Sequence, residues 1–144
     1  MWHYIVITGA SRGFGKAIAL RFAKIVQSPV HFSLSGRSSK DLEETKNAIL
    51  NIRSDMLTKC DTTSADLADV STLPAVADRM FANFDTLTSS GDAYSRVIFI
   101  NNAGSLGPLS YIGIGDCANL ALISTAINLN VTAVLFNVRN HEEV

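Results

Sequence analysis

Three glycines fall within one eight-residue stretch near the N-terminus, Thr8-Gly9-Ala10-Ser11-Arg12-Gly13-Phe14-Gly15. Before it lies a short apolar, β-branched run (YIVIT, residues 4–8) that reads as a buried strand. After it, Phe14, Ile18, Phe22 and Ile25 recur at spacings of 4, 4 and 3, one face of a helix. Glycine permits a tight strand-to-helix turn and lets backbone N–H groups approach a pyrophosphate. The helix N-terminus then sets partial positive charge against that anion. Taken alone, such a turn is also compatible with no ligand; its place between strand and helix is what points to a dinucleotide.

The remaining pattern extends the same alternation. Residues 30–35 (VHFSLS) form a second strand after the Ser28-Pro29 break, and Ser39 is a candidate N-cap with Asp41, Glu43 and Glu44 in the following turn. A weakly patterned third strand is expected over 58–65. Leu73, Val76, Met80, Phe84 and Leu87 mark a helix that tolerates Pro74 in its first turn, and residues 89–91 read as a loop. A fully apolar strand, VIFI at 97–100, precedes Asn101-Asn102-Ala103-Gly104. Alternating strands and helices predict an α/β fold, a Rossmann-like doubly wound parallel sheet.

Composition narrows the classes further. With 144 residues, 47% hydrophobic and 17% charged, the chain has the profile of one folded domain, not of a disordered, collagen-like or polybasic protein. Residues 1–60 carry nine basic and four acidic side chains, whereas 61–144 carry three and nine. Solvated helix faces account for that asymmetry, as would an anionic ligand near the N-terminal half. Residues 118–138 are long enough to span a bilayer, but Asn119, Asn128, Asn130 and Asn137 are costly in hydrocarbon. A helix buried in protein or in a subunit interface is expected instead, and no membrane.

Cys60 and Cys117 are single and far apart, and His3, His31 and His141 form no cluster, so no metal site is expected. With an N-terminal apolar run too short for a signal peptide, these features suggest a reducing, cytoplasmic location.

The end of the second strand bears on which dinucleotide fits. An NAD-preferring site places a carboxylate there for the ribose 2′-hydroxyl. Here the residues are Ser35-Gly36-Arg37-Ser38, without an acid. Arg37, with Arg12 from the glycine loop, can form charge-assisted bonds to a 2′-phosphate, so NADP(H) is expected over NAD(H).

The spacing Thr-Gly-x-x-x-Gly-x-Gly together with Asn-Asn-Ala-Gly after the fourth strand resembles the short-chain dehydrogenase/reductase family, over residues 4 to about 136. The strings VITGASRGFGKAIAL and INNAGSLG are most similar to a branch that reduces a ketone on a pterin side chain, with Phe14 in place of the more usual isoleucine. The resemblance implies an NADPH-dependent oxidoreductase. It implies cofactor contacts from Gly9, Ser11, Arg12, Gly13, Phe14, Gly15 and Arg37. Asp66 and Leu67 would meet the adenine; Asn102, Ala103 and Gly104 would border the ribose and nicotinamide. Asn130 matches the helix asparagine of the catalytic set, with Asn128 a rival for that alignment.

The same resemblance implies a serine, a tyrosine and a lysine four residues after the tyrosine, the lysine lowering a phenol pKa that is otherwise near 10. Tyr4, Tyr94 and Tyr111 are followed at that spacing by Thr8, Ile98 and Gly115, and no lysine occurs after Lys59. The family sheet has seven strands, and this chain supplies about four. Residues 1–144 are therefore expected to form a single, incomplete NADP-binding domain, truncated after about four strands and the following helix. Its fourth strand would be an aggregation-prone edge. Two roles stay open at this point: the cofactor half of a carbonyl reductase acting on a small-molecule substrate, or an inactive fragment that binds nucleotide or dimerises through helix 118–138.

Overall fold

The computed structural model describes residues 1–54, 56–89, 94–106 and 119–136. Strands β1 (Trp2–Thr8), β2 (Val30–Gly36), β3 (Thr58–Ser64) and β4 (Tyr94–Ile100) alternate with helices α1 (Gly13–Ile25), α2 (Ser39–Ile52) and α3 (Leu73–Ser89). Helix α4 (Leu120–Ile127) follows, continuing through a π-helical turn at Asn128–Thr132. The strands pair in parallel in the order β3-β2-β1-β4. The chain therefore winds outward from β1 to β3, then crosses back to lay β4 on the other side of β1. That reversal is the topological switch point of a Rossmann-like fold, and it opens a crevice beyond the carboxyl ends of β1 and β4.

Both faces of the sheet are covered, which is why β1 reads as a continuous apolar run and why the polar His31, Ser33 and Ser35 of β2 are buried along with its apolar residues. Every residue of β2 is buried, as are the last five of β1. On one face Ile5, Ile7, Phe32 and Leu34 pack with Ala19 and Ala23 of α1 and Leu42 and Ile49 of α2. On the other, Tyr4 and Val6 pack with Leu67, Leu73, Val76, Met80 and Ala133. β3 is an edge strand with half-exposed polar side chains, and Thr62 donates a hydrogen bond to Glu43 of α2 at 2.6 Å. Polar decoration of an edge explains its weak sequence pattern.

The expected elements are present, with shifted ends. β1 and β4 begin two and three residues earlier than their apolar runs, and β3 ends at Ser64. α2 is capped by Ser38 rather than Ser39: the Ser38 hydroxyl accepts a hydrogen bond from the Asp41 amide at 3.2 Å. α3 runs to Ser89, so the expected loop at 89–91 begins inside the helix; its other two residues lie outside the described set. Cys117, Tyr111 and His141 also lie outside it.

The two apolar helices are the main surprises. In α1 the fully buried positions are Gly15, Ala19 and Ala23, one stripe of small residues that lets the helix sit close to the sheet. The larger Phe14, Ile18, Phe22 and Ile25 line a groove on the outer side, with Phe14 75% exposed, while Ile18 and Phe22 also pack in part against the core. In α4 no residue is buried, and Leu120, Leu122 and Ile127 face outward, as do Val131 and Leu135 beyond it. Among the described residues, no helix is long and apolar enough to cross a membrane.

One charged side chain organises the base of the α1–α2 layer. The Arg53 guanidinium is buried, donating to Thr58 Oγ1 at 2.7 Å, to the Ser28 carbonyl at 2.8 Å, and to the Ala23 and Val26 carbonyls at the end of α1. It satisfies helix-terminal carbonyls that would otherwise be buried without donors. Lysine offers no planar fork with which to reach several acceptors at once. Arg53→Lys should therefore cost about 2 kcal/mol and Arg53→Leu about 3 kcal/mol or more. Urea denaturation of the two variants beside the unmodified chain checks both the size and the order.

Candidate functional site

At the carboxyl end of the sheet, five chain segments converge on a cleft of about 280 Å³. Gly9, Ser11, Arg12 and Gly13 come from the loop after β1, and Gly36 and Arg37 from the end of β2. Ala65, Asp66 and Leu67 follow β3, Asn102, Ala103 and Gly104 follow β4, and Leu129 enters from the π-helical turn.

The glycine loop is held on three sides. The Ala10 amide donates to the Ser35 carbonyl at 2.9 Å, and the Thr45 hydroxyl of α2 donates to the Ala10 carbonyl at 3.2 Å. From the β4 side, Asn102 Nδ2 donates to the carbonyls of Thr8 and Gly9 at 3.1 and 3.2 Å. Thr8 Oγ1 in turn accepts the amides of Asn102 and Ala103 at 2.9 and 3.0 Å. The two loops thereby lock each other.

Gly9 and Gly13 both have positive φ, 68° and 57°. At Gly9 a Cβ would lie 2.9 Å from Asn102 Nδ2; at Gly13 it would meet nothing within 4 Å, so that backbone faces open space. The start of α1 is equally exposed in its chemistry. Its N-cap, Arg12, makes no side-chain capping bond and its first turn has no acid, whereas Ser38 and Asn119 cap α2 and α4 with side-chain oxygens. Amides left without a capping side chain, beside the open Gly13, suit a phosphate. These residues fit a dinucleotide pyrophosphate.

The opposite wall is tied together between the ends of β2 and β3, with one local turn after β3. The Ala65 amide donates to the Gly36 carbonyl at 2.9 Å, and the Ser64 hydroxyl donates to the Arg37 carbonyl at 3.1 Å, fixing the backbone beneath the Arg37 side chain. Asp66 Oδ1 accepts the Ala68 amide at 3.1 Å, an Asx turn that starts the connection to α3, and Leu67 is buried.

Most of the expected site residues thus line one cleft. Phe14 does not: it lies on the outward face of α1. Gly15 lies under the loop, where a Cβ would overlap the Gly9 carbonyl oxygen. Asn130 sits at the rim, its amide closing a two-bond clasp on Ser105. Oδ1 accepts the Ser105 amide at 3.0 Å and Nδ2 donates to the Ser105 carbonyl at 2.6 Å. Asn130, and not Asn128, makes that tie to the segment after Gly104. Leu129 was missed by sequence reasoning because its apolar side chain carries no chemical signal. Gly36 and Ala65 were passed over beside Arg37 and Asp66, although a glycine ending a buried strand was a usable sign.

Neither tyrosine of the described residues is at the cleft. Tyr4 lies beneath α3 and donates to the Met80 carbonyl at 2.6 Å. Tyr94 begins β4, at the strand end away from the cleft, and burial pushes its phenol up to about 12. Burial likewise pushes the Cys60 thiol up to about 12, which leaves it no nucleophile at neutral pH.

Fold and cleft define a Rossmann-like α/β protein of the dinucleotide-binding kind. The family model for short chain dehydrogenase matches residues 3–141, and the chain belongs to that family. It is 30% identical over 132 residues to mouse (Mus musculus) sepiapterin reductase, covering 90% of this chain and 47% of that protein. It is equally identical over 132 residues to benzil reductase ((S)-benzoin forming) of Bacillus cereus, covering 90% and 45%. The chain thus spans less than half the length of these relatives. Among solved structures, levodione reductase superposes with a TM-score of 0.74 at 25% identity, covering 99% of this chain and 48% of that one. A metagenomic short-chain oxidoreductase in complex with NADP superposes with a TM-score of 0.67 at 24% identity, covering 95% and 53%.

The clasp around Gly15 yields a contrast between two like substitutions. Gly→Ala inside a helix ordinarily gains about 1 kcal/mol. Gly15→Ala should instead cost about 3 kcal/mol or more, because the methyl meets backbone and Asn102. Gly13→Ala has room and carries only the left-handed backbone strain, about 1–2 kcal/mol. Thermal and urea unfolding of the pair gives the order.

Proposed function

We propose that this chain is the cofactor-binding half of an NADPH-dependent carbonyl reductase, sepiapterin reductase-like, whose ketone substrate is best matched by a pterin side chain. Residues 1–144 act as a single, incomplete NADP-binding domain. The observation that carries this reading is one cleft combining an uncapped helix N-terminus with Arg12 and Arg37, with no acid at the end of β2. Both guanidinium groups belong to exposed residues and are available to a 2′-phosphate.

Gly9, Ser11, Gly13 and Gly15 serve the pyrophosphate side, directly or by shaping the loop, and Phe14 serves it through its backbone in the first turn of α1 alone. Arg12 and Arg37 hold the 2′-phosphate, Asp66 and Leu67 flank the adenine, and Asn102, Ala103 and Gly104 border the nicotinamide side. The cofactor, when bound, supplies a hydride. Asn130 is the member of the catalytic set that this chain carries; its clasp on Ser105 holds the loop after Gly104 in place. The proton donor is another matter, because no Tyr-x-x-x-Lys occurs in the 144 residues. We therefore assign the chain by itself no turnover; its single, widely separated cysteines support a cytoplasmic location.

A second reading gains support from α4. Its uncovered leucines and isoleucine suit a non-catalytic isoform or fragment that binds nucleotide and pairs with a second copy through helix 118–138. Leu122→Glu should shift such a dimer to monomer in sedimentation equilibrium.

The direct test is fluorescence titration of the chain with NADPH and NADH. NADPH should bind more tightly, and Arg37→Ala should weaken it about 10–100-fold, as expected for one or two charge-assisted bonds, with NADH little changed. Equal affinities for both cofactors would remove the 2′-phosphate assignment. Ketone-dependent NADPH oxidation by the chain alone would overturn the assignment of no turnover and the non-catalytic reading.

A further inference from the structure

A polar strut crosses all four strands on the face covered by α3. It begins at Asp61 on β3, whose Oδ2 lies 2.5 Å from His31 Nε2 on β2. His31 Nδ1 lies 3.2 Å from the Tyr94 hydroxyl on β4. Between them, on β1, the Tyr4 ring meets both partners edge-on, 5.0 Å from the His31 ring and 5.1 Å from the Tyr94 ring. The Tyr4 hydroxyl and that of Ser33 both donate to the Met80 carbonyl, at 2.6 and 2.8 Å, so the strut is also anchored to α3.

The donor chemistry allows one arrangement for a neutral ring. A carboxylate only accepts, so Nε2 carries the hydrogen; Nδ1 then presents a lone pair, and Tyr94 donates to it. Both nitrogens are satisfied while His31 is only 2% exposed. A second proton, on Nδ1, removes that acceptor and forces the Tyr94 hydroxyl to turn. It also buries a cation at the centre of the sheet.

We propose that the Asp61–His31–Tyr94 strut is an acid-released latch: neutral His31 holds edge strand β3, and with it the Asp66–Leu67 wall of the cleft, and protonation lets that edge loosen. Asp61 lies five residues before Asp66, on the strand that delivers this wall. The charged and titratable groups around the ring come from every neighbouring element. β3 contributes Asp61, which favours the cation, and Lys59, which opposes it; β4 contributes Tyr94 and β1 contributes Tyr4. On α3, Asp78 and Arg79 are on the exposed side. Burial outweighs the Asp61 carboxylate and sets the His31 pKa below its ordinary value.

The sign of the pH effect follows. A lowered pKa in the folded state means that the loosened state binds protons more readily. The latch's contribution is then complete above the ordinary imidazole value of about 6.5 and declines as pH falls below it. One proton allows at most about a tenfold loss in the closing equilibrium per pH unit.

The experiment is NMR on the full chain between pH 8 and 5, following the imidazole resonances and the amide exchange protection of β3 relative to β1. His31 should titrate below 6.5, and the relative protection of β3 should fall by up to about tenfold per pH unit beneath that value. His31→Gln should level this pH dependence. Asp61 is half-exposed, so Asp61→Asn gives a variant that keeps an acceptor but loses the charge. In it, His31 should titrate at still lower pH. A His31 that titrates at or above 6.5, or β3 protection that ignores pH, overturns the latch, as does an Asp61→Asn variant with unchanged His31 titration. The readout is β3 itself, so it does not depend on which ligand the cleft takes.

Discussion

Everything at the carboxyl end of this sheet depends on the reciprocal clasp between Thr8 and Asn102. β1 and β4 are neighbours in space, yet their ends are more than ninety residues apart in the chain. The Thr8 hydroxyl takes two amides of the β4 loop while the Asn102 amide group returns two donors to the glycine loop. Four bonds in a closed, partly buried set fix the relative height of the two loops. The open backbone of Gly13 and the uncapped start of α1 are aimed only because that height is fixed.

The glycines divide into those that face outward and those that permit packing. Gly13 serves the exposed face of the loop. Gly15 serves its underside, where α1 comes so close to the loop backbone that a methyl group has no place. The same economy of size continues along α1 as Ala19 and Ala23. Small residues bring the helix axis near the sheet, Ile18, Leu20 and Phe22 pack in part against the core beside them, and Phe14 and Ile25 are left to the outside.

Much of the architecture was legible from sequence. Period and β-branching mark β1, β2 and β4, and the resemblance implies that the NNAG segment after β4 borders the ribose and nicotinamide side of a cofactor. Ser11, Arg12, Arg37, Asp66 and Leu67, singled out in the sequence, line one cleft. Other features were not legible, for definite reasons. Helical periodicity finds an apolar face but does not say whether anything covers it, so Phe14 and Ile25 were indistinguishable from core residues. Leu129 is an ordinary leucine until the π-helical turn points it at the cleft. Arg53 and His31 look like solvated or isolated polar residues in a linear chain, because their partners lie on other elements.

The sequence by itself determined the α/β alternation, the placing of the glycine loop between strand and helix, and the absence of a Tyr-x-x-x-Lys pair. Those are properties of neighbours along the chain, where spacing and side-chain type carry the physics. Only the tertiary structure decided which apolar faces are covered, which asparagine reaches the β4 loop, and that Asp61, His31 and Tyr94 form one strut. Each of these depends on packing between strands remote in sequence, and parallel pairing brings such residues into register only after the whole sheet has assembled.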